Sequence, residues 1–298
     1  MPNMYGVLII GLGNIAMGYD LNNEDMTWTH IGAINKNSKF KLIAAIDPNI
    51  GTHNKLNEIN SAKSYFNIDD FLKSDHEGID MVVISSPTAH HLEHYRKIKA
   101  LKPKLVLIEK PLVENKHDLA SLMSEIDQDT NVMVNLFRLY QKNLNKVLSD
   151  LSGLGRCRIN VRYSKTRIHN GIHFISLVIR HFGDLISQEK ITLQGIETIS
   201  LKFKFADVIL QPAMHDLDDN SMIVQSIKGT LYYLSGGRIS FFVDSKNTQH
   251  DLSGLEFKHY MLNVYDQCFE VMNGKKDDSL SLAYVGQKIL MEYENNVA

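Results

Sequence analysis

The chain has 298 residues, of which 44% are hydrophobic and 22% charged, with a formal net charge of −2. That apolar fraction excludes wholesale disorder, and the near-neutral balance without a Lys/Arg block excludes an overall basic field for nucleic acid. The length fits two domains, because single cores stop growing near ~250–300 residues. Cys157 and Cys268 stand far apart in no metal or redox spacing and read as reduced thiols. No uncharged apolar run reaches the ~18 residues of a membrane helix, and the N-terminus shows no leader pattern, so the protein is expected in the cytoplasm.

In chain order, short aliphatic runs fall at Tyr5–Ile10, Lys41–Ile46, Asp80–Ser85, Lys104–Ile108 and Asn131–Asn135. Amphipathic stretches such as Thr52–Ile59, Ala89–Ala100 and Lys116–Asp127 lie between them. Continuous Val/Ile/Leu runs are strands buried on both faces, and their alternation with helices predicts a doubly wound parallel sheet of the α/β class. After residue 136 the texture changes. A helix at Lys142–Leu151, a strand at Arg156–Thr166 and a helix at Gly171–Phe182 lead into successive strands between Ile191 and Val243, one of them at Val208–Met214. Glycine turns such as Lys228-Gly229 separate several of these strands, as antiparallel meanders require. Two helices, Phe257–Met272 and Ser279–Glu294, close the chain. The expected division is a dinucleotide-binding domain at 1–136 and an α+β domain with a mostly antiparallel open sheet at 137–298.

Gly11-Leu12-Gly13-Asn14-Ile15-Ala16 follows the first strand directly and fits GxGxxA. The first glycine permits a tight turn, the second lets backbone approach a pyrophosphate, and the small third residue allows close packing. Helix-start N–H groups at Asn14 and Ile15 would then face phosphates. Asp47 ends the second strand, where a carboxylate accepts hydrogen bonds from the adenosine ribose hydroxyls and repels a 2′-phosphate. With no cation at Pro48 or Asn49, NAD is expected in preference to NADP. The alternative for Asp47 is a plain turn residue before proline. The gap from Ala16 to Asp47 exceeds the usual ~20 residues. Residues Tyr19–Thr29, with Asp20, Glu24, Asp25 and Trp28, read as an insertion that covers a ligand or forms a surface loop.

Three more segments fall at strand ends, where α/β sheets carry their chemistry. They are Ser85-Ser86-Pro87 leading to His90 and His91, Glu109-Lys110-Pro111, and Asn135 before Phe137-Arg138. Together with the glycine turn and Asp47, these motifs resemble the glucose–fructose oxidoreductase, inositol dehydrogenase and MocA (Gfo/Idh/MocA) family, and the likeness spans nearly the whole chain. It implies a Rossmann fold, a nicotinamide cofactor and a sugar or cyclitol substrate. Members use the lysine of Glu-Lys-Pro with acid/base groups from an Asp-x-Gly-x-His-x-x-Asp segment. Lys110 matches the lysine and His173 the histidine, while His169 and Ser176 stand where the family has aspartates. A free lysine pKa of ~10.4 is too high for a base at neutral pH, and burial beside oxidised nicotinamide would lower it.

The resemblance therefore implies Lys110, His173 and His169 as catalytic groups, with Asn170 orienting substrate. The cofactor would meet Gly11, Gly13, Asn14, Ile15, Asp47, Ser85, Ser86, Pro87, His90, Glu109 and Lys110. If the segment is helical, His173, Ser176 and Arg180 share one face, and Arg180 either binds a phosphorylated or nucleotide-linked sugar or sits on a solvated face. The pairs His169/His173 and His90/His94 lack a completing acid or cysteine, so no metal is expected. The expected function is NAD-dependent hydride transfer to or from a sugar hydroxyl. The alternative is an NAD-binding regulatory protein, or a lyase or hydrolase using transient oxidation. Alternating apolar residues over Ile199–Phe205 and the pair Phe241-Phe242 suggest an interface, and the resemblance implies a homodimer or homotetramer through this sheet.

Overall fold

A computed structural model describes residues 4–21, 23, 25–75, 78–127, 129–153, 155–213, 219–243, 248–251 and 257–292. Two compact units form, Met1–Asn135 with Lys258–Leu280, and Leu136–Phe257 with Ser281–Ala298. Among the described residues no helix is long and apolar enough to cross a membrane.

The first unit is built on strands β1 (Tyr5–Ile10), β2 (Phe40–Ile46), β3 (Lys63–Tyr65), β4 (Met81–Ile84), β5 (Leu105–Ile108) and β6 (Asn131–Val134). All pair in parallel, in the spatial order 3-2-1-4-5-6. Residues 7–10, 81–84 and 105–108 are fully enclosed, as the continuous aliphatic runs require. Each such Val, Leu or Ile contributes about 1.5–3 kcal/mol when removed from water. The intervening helices are α1 (His30–Lys36), α2 (Ile50–Ile59), α3 (Ile68–Lys73), α4 (His91–Ile98) and α5 (Lys116–Glu125). Asn49, Asn67 and Asn115 start three of them, each side chain accepting a backbone N–H inside the first turn. The short β3 and α3 carry too few apolar residues to stand out in the sequence.

The insertion has a specific form. After the glycine turn the chain makes helical turns through Asp20, so no regular α-helix follows it. Regular helix resumes only at His30, whose N–H donates to the Ile15 carbonyl (3.1 Å), while Ile31 N–H donates to Ala16 (2.9 Å). One helix is thus split after its first turn and spliced across residues 18–29. Asp20 closes the splice by accepting from the N–H groups of Trp28 and Thr29 and from the Thr29 hydroxyl. Glu24 lies outside the described residues.

The second unit holds α6 (Lys142–Ser152), β7 (Cys157–Tyr163), α7 (Ile172–Phe182), β8 (Leu185–Leu193), β9 (Ile196–Phe203), β10 (Ala206–Pro212), β11 (Ser221–Ser226), β12 (Gly229–Leu234), β13 (Arg238–Val243) and β14 (Thr248–Asp251). They form one eight-stranded sheet, antiparallel except for the β7–β10 pair. β7 alternates strictly between buried Cys157, Ile159, Val161 and Tyr163 and exposed Arg158, Asn160 and Arg162. One face is therefore packed and the other open. The structure adds β8, whose alternating but mostly polar sequence hides a strand. A π-helical turn at Arg167–Gly171 precedes α7, whose residues 172–178 are all buried.

Two helices, α8 (Tyr260–Met272) and α9 (Ser279–Met291), follow. The sequence division assigns α8 to the second domain, but its contacts lie in the first unit. Tyr265 packs edge-on against Phe40 at 5.2 Å, and Lys39 pairs with Asp266 at 3.0 Å. An amphipathic face shows that a helix docks, not on which sheet. The predicted ends at Met214 and Glu294 lie outside the described residues.

Candidate active site

Strand register builds the site. Ile10 pairs with Ile46 and with Ile84, Ile84 with Ile108, and Ile108 with Val134. The residues that follow, Asp47, Gly11, Ser85, Glu109 and Asn135, therefore leave the carboxyl edge of the sheet side by side. Between β1 and β4 the strand order reverses, which is where doubly wound sheets take ligands.

Gly11 has φ +94°, and a Cβ there would lie 2.5 Å from Ser86 N and 2.6 Å from its Cα, so only glycine fits. A Cβ on Gly13 would meet nothing within 4 Å. Backbone at Gly13 thus borders open space, a cradle of the kind a pyrophosphate fills. Gly13 and Asn14 are exposed and Ile15 is half-buried. The Asp47 carboxylate accepts the Leu12 N–H at 2.7 Å and the Asn49 N–H at 2.9 Å, tying the glycine turn to the second strand. A cavity of about 520 Å³ opens beside it, lined among others by Gly11, Asp47, Phe66, Ser86, Pro87 and His90. The open glycine backbone, the half-buried carboxylate and this partly apolar cavity fit a dinucleotide. Ser85 is buried, its hydroxyl donating to the Gly11 carbonyl at 2.9 Å.

His90 stacks on His94 with ring centroids 5.7 Å apart, and His94 Nδ1 meets the Ser86 hydroxyl at 2.9 Å. Burial pushes the His94 pKa down to about 4, aided by His90, His91 and Lys97 and opposed by Glu93. Lys97, also on the cavity, is ion-paired to Asp69 and Glu93, each at 3.2 Å.

Lys110 follows Glu109 at the end of β5 and is half-buried. Glu109 itself is buried, bonded to His30 Nε2 at 3.0 Å and accepting from the Asn135 amide. Burial alone would raise the Glu109 carboxyl, but the His30 hydrogen bond and charge, with Lys110 and Asn135, outweigh it and hold the pKa low. Tyr265 extends the chain, its hydroxyl 3.3 Å from His30 Nδ1. His91 bridges the neighbouring loops, one ring nitrogen 2.9 Å from the Ser86 carbonyl and the other 3.1 Å from Leu112. The sequence motifs assign no role to His30, His91, Asn135 or Tyr265. No local spacing marks such partners, since strand order and the docking of α8 bring them in.

In the second unit His173 is buried on α7, its ring 4.9 Å from that of Phe137. Ser176 is buried one turn on. His169 is exposed, with Nδ1 2.7 Å from the Thr166 hydroxyl. The π-helical turn separates the surroundings of these two histidines. The Asn170 amide donates to the Ser164 carbonyl and hydroxyl, each at 3.0 Å, and Arg180 Nη1 donates to the Leu139 carbonyl at 2.8 Å.

A 3-2-1-4-5-6 parallel sheet with a glycine turn at its switch point and an acid ending β2 defines a dinucleotide-binding protein. Residues 5–136 match the model of the Gfo/Idh/MocA family, described as an oxidoreductase family with an NAD-binding Rossmann fold. Over this region, which is under half of the chain, the likeness is to that family's NAD-binding Rossmann domain. Among solved structures, a dehydrogenase from Chromobacterium violaceum is similar at 14% identity and TM-score 0.79, over 98% of this chain and 94% of that one. A 3-ketoreductase from Actinomadura kijaniata, in complex with NADP and TDP-benzene, is similar at 13% identity and TM-score 0.73, over 97% and 96%. The WlbA dehydrogenase from C. violaceum, in complex with NADH and UDP-GlcNAcA, is similar at 16% identity and TM-score 0.72, over 98% and 94%. At these identities the likeness is one of fold. No curated protein sequence matches the chain.

Proposed function

We propose that the protein is a dehydrogenase that moves a hydride between a nicotinamide cofactor, NAD in preference to NADP, and a hydroxyl of a sugar, sugar phosphate or nucleotide sugar. The observation that carries this reading is the row Asp47, Gly11, Ser85, Glu109 on one sheet edge beside a cavity of dinucleotide character. The UDP-GlcNAcA bound to one structural neighbour and the TDP-benzene bound to another support the substrate class. Asp47 supports NAD, because a carboxylate there disfavours a 2′-phosphate and the cavity's Lys97 is already ion-paired.

Bound nicotinamide supplies hydride transfer; the chain must handle the hydroxyl proton. Lys110 and His173 take that role in this reading, with His169 and Asn170 orienting groups. Glu109, fixed by His30 and Asn135, presents a steady negative charge to Lys110 and restrains the strand exit that carries it. His91 ties Leu112 to Ser86 and so holds the lysine loop against the cofactor loop. A homodimer or homotetramer would form through the open face of the second unit's sheet, and the protein would act in the cytoplasm.

The test is a panel of sugars followed through the absorbance of reduced nicotinamide. A dehydrogenase yields net NADH. Transient oxidation yields product without it, and a regulatory protein binds NAD and yields neither. Lys110→Ala and His173→Ala should each lower turnover about 10²–10⁴-fold, with cofactor affinity changed little by comparison. Full activity in both variants would refute the assignment.

A further inference from the structure

We propose that Arg138 is an anion-recognition residue, taking an oxyanion carried on the sugar ring itself, either a carboxylate or a phosphate. This deepens the sugar-dehydrogenase reading and rests on it. Arg138 lies in the turn Phe137–Tyr140 and is only 7% exposed. Its guanidinium carbon sits 4.5 Å from the Phe137 ring centroid, 4.7 Å from Phe174 and 5.3 Å from Tyr233. Three aromatic faces hold the charge, yet none accepts its in-plane N–H donors. Among the described residues no carboxylate or carbonyl takes them either, and Nε is enclosed without a partner.

That condition is unusual, since buried arginines are paired and buried donors satisfied. The same unit shows the ordinary arrangement elsewhere. Arg156 forks onto Asp207 at 2.7 and 2.6 Å, and Arg180 donates to the Leu139 carbonyl, holding the turn in which Arg138 sits. Two further groups share Arg138's state: the buried Tyr233 hydroxyl, on a ring facing the guanidinium, and the Gln141 amide, buried with both ends unpartnered. A preorganised planar fork without an acceptor is what bidentate recognition of a carboxylate or phosphate needs.

The position favours an anion on the reacting sugar. The guanidinium and the His173 imidazole lie against the same Phe137 ring. An oxyanion on Arg138 and a hydroxyl at His173 would therefore belong to one sugar-sized ligand.

Calorimetric binding to the NAD-loaded protein tests this without turnover. D-glucuronate and D-glucose 6-phosphate are each compared with D-glucose, and UDP-glucuronate with UDP-glucose. The wild type should prefer the ring-anionic member of at least one pair by about 10–100-fold, the scale of a charge-assisted hydrogen bond. Which pair shows the preference separates carboxylate from phosphate. R138Q should abolish the preference, while R138K, with charge but no fork, should retain part of it. A wild type without preference, or R138Q with the preference intact, overturns the proposal. The wild-type comparison decides if neither variant folds. Net NADH from neutral sugars alone would uphold the dehydrogenase and reject this site; anion preference in a protein that never makes NADH would do the reverse.

Discussion

Two alanine substitutions two residues apart, at Gly11 and Gly13, should behave in opposite ways. Gly11→Ala places a methyl at φ +94°, costing roughly 1–2 kcal/mol for the left-handed backbone. The same methyl lies 2.5–2.7 Å from backbone atoms of Ser85 and Ser86, which cannot swing aside, adding about 1–3 kcal/mol of overpacking. The expected loss of about 3 kcal/mol lowers Tm by roughly 5 °C in a chain of this size. Gly13→Ala meets no atom within 4 Å and should leave Tm unchanged. Its methyl would instead fill the space a pyrophosphate needs and break one charge-assisted backbone hydrogen bond, about 1.5–3 kcal/mol or roughly 10–150-fold in NAD affinity. Thermal unfolding and NAD titration on both variants give four numbers. Wild-type affinity in Gly13→Ala would remove the phosphate cradle from Gly13, and wild-type stability in Gly11→Ala would refute the packing argument.

The cofactor edge supplies two more expectations. Asp47→Asn keeps an acceptor for the Leu12 N–H but removes the charge, so the NADP-to-NAD affinity ratio should rise about tenfold, half to one charge-assisted bond in magnitude; an unchanged ratio would show that Asp47 does not read the ribose. His94 titrates near 4 in the folded protein and near 6.5 unfolded, mainly because it is buried. The unfolded chain then binds the proton first, so stability falls as pH drops from about 6.5 towards about 4 and is flat for this group outside that window. His94→Gln keeps a partner for the Ser86 hydroxyl and should flatten Tm against pH between those limits; an unaltered slope would assign it to other groups.

The parallel sheet was readable because strands buried on both faces must be aliphatic throughout, and Val7–Ile10, Met81–Ile84 and Leu105–Ile108 are fully enclosed. The glycine turn, Asp47 and Glu109-Lys110 were readable because each sits one residue past such a run, so register alone aligns them. Partners supplied by distant chain were not. His30 reaches Glu109 from 79 residues away, and Tyr265 reaches His30 from 235. In the second unit the helix expected at Gly171–Phe182 forms at Ile172–Phe182, but periodicity gave no sign of the π-helical turn at Arg167–Gly171 before it, in which His169 is exposed while His173 on the helix is buried. Arg180 illustrates a further limit: helix phase puts it beside His173 and Ser176, but the fold of the preceding turn is what brings its guanidinium onto the Leu139 carbonyl.

The spliced helix makes most of residues 18–29 a detachable module. Its two ends are already hydrogen-bonded neighbours, Ile15 to His30 and Ala16 to Ile31, so closing a shorter or longer excursion there costs little chain entropy. The last residues of the excursion also dock on the start of α8, where the Thr27 N–H donates to the Lys258 carbonyl at 2.8 Å and the Tyr260 hydroxyl to the Trp28 carbonyl at 3.0 Å, so residues 27–29 belong with the platform. A graft that retains the Asp20 clasp and Gly32, where a Cβ would strike the Asp20 carboxylate at 2.2 Å, would exchange one loop for another while the nucleotide platform stays in place.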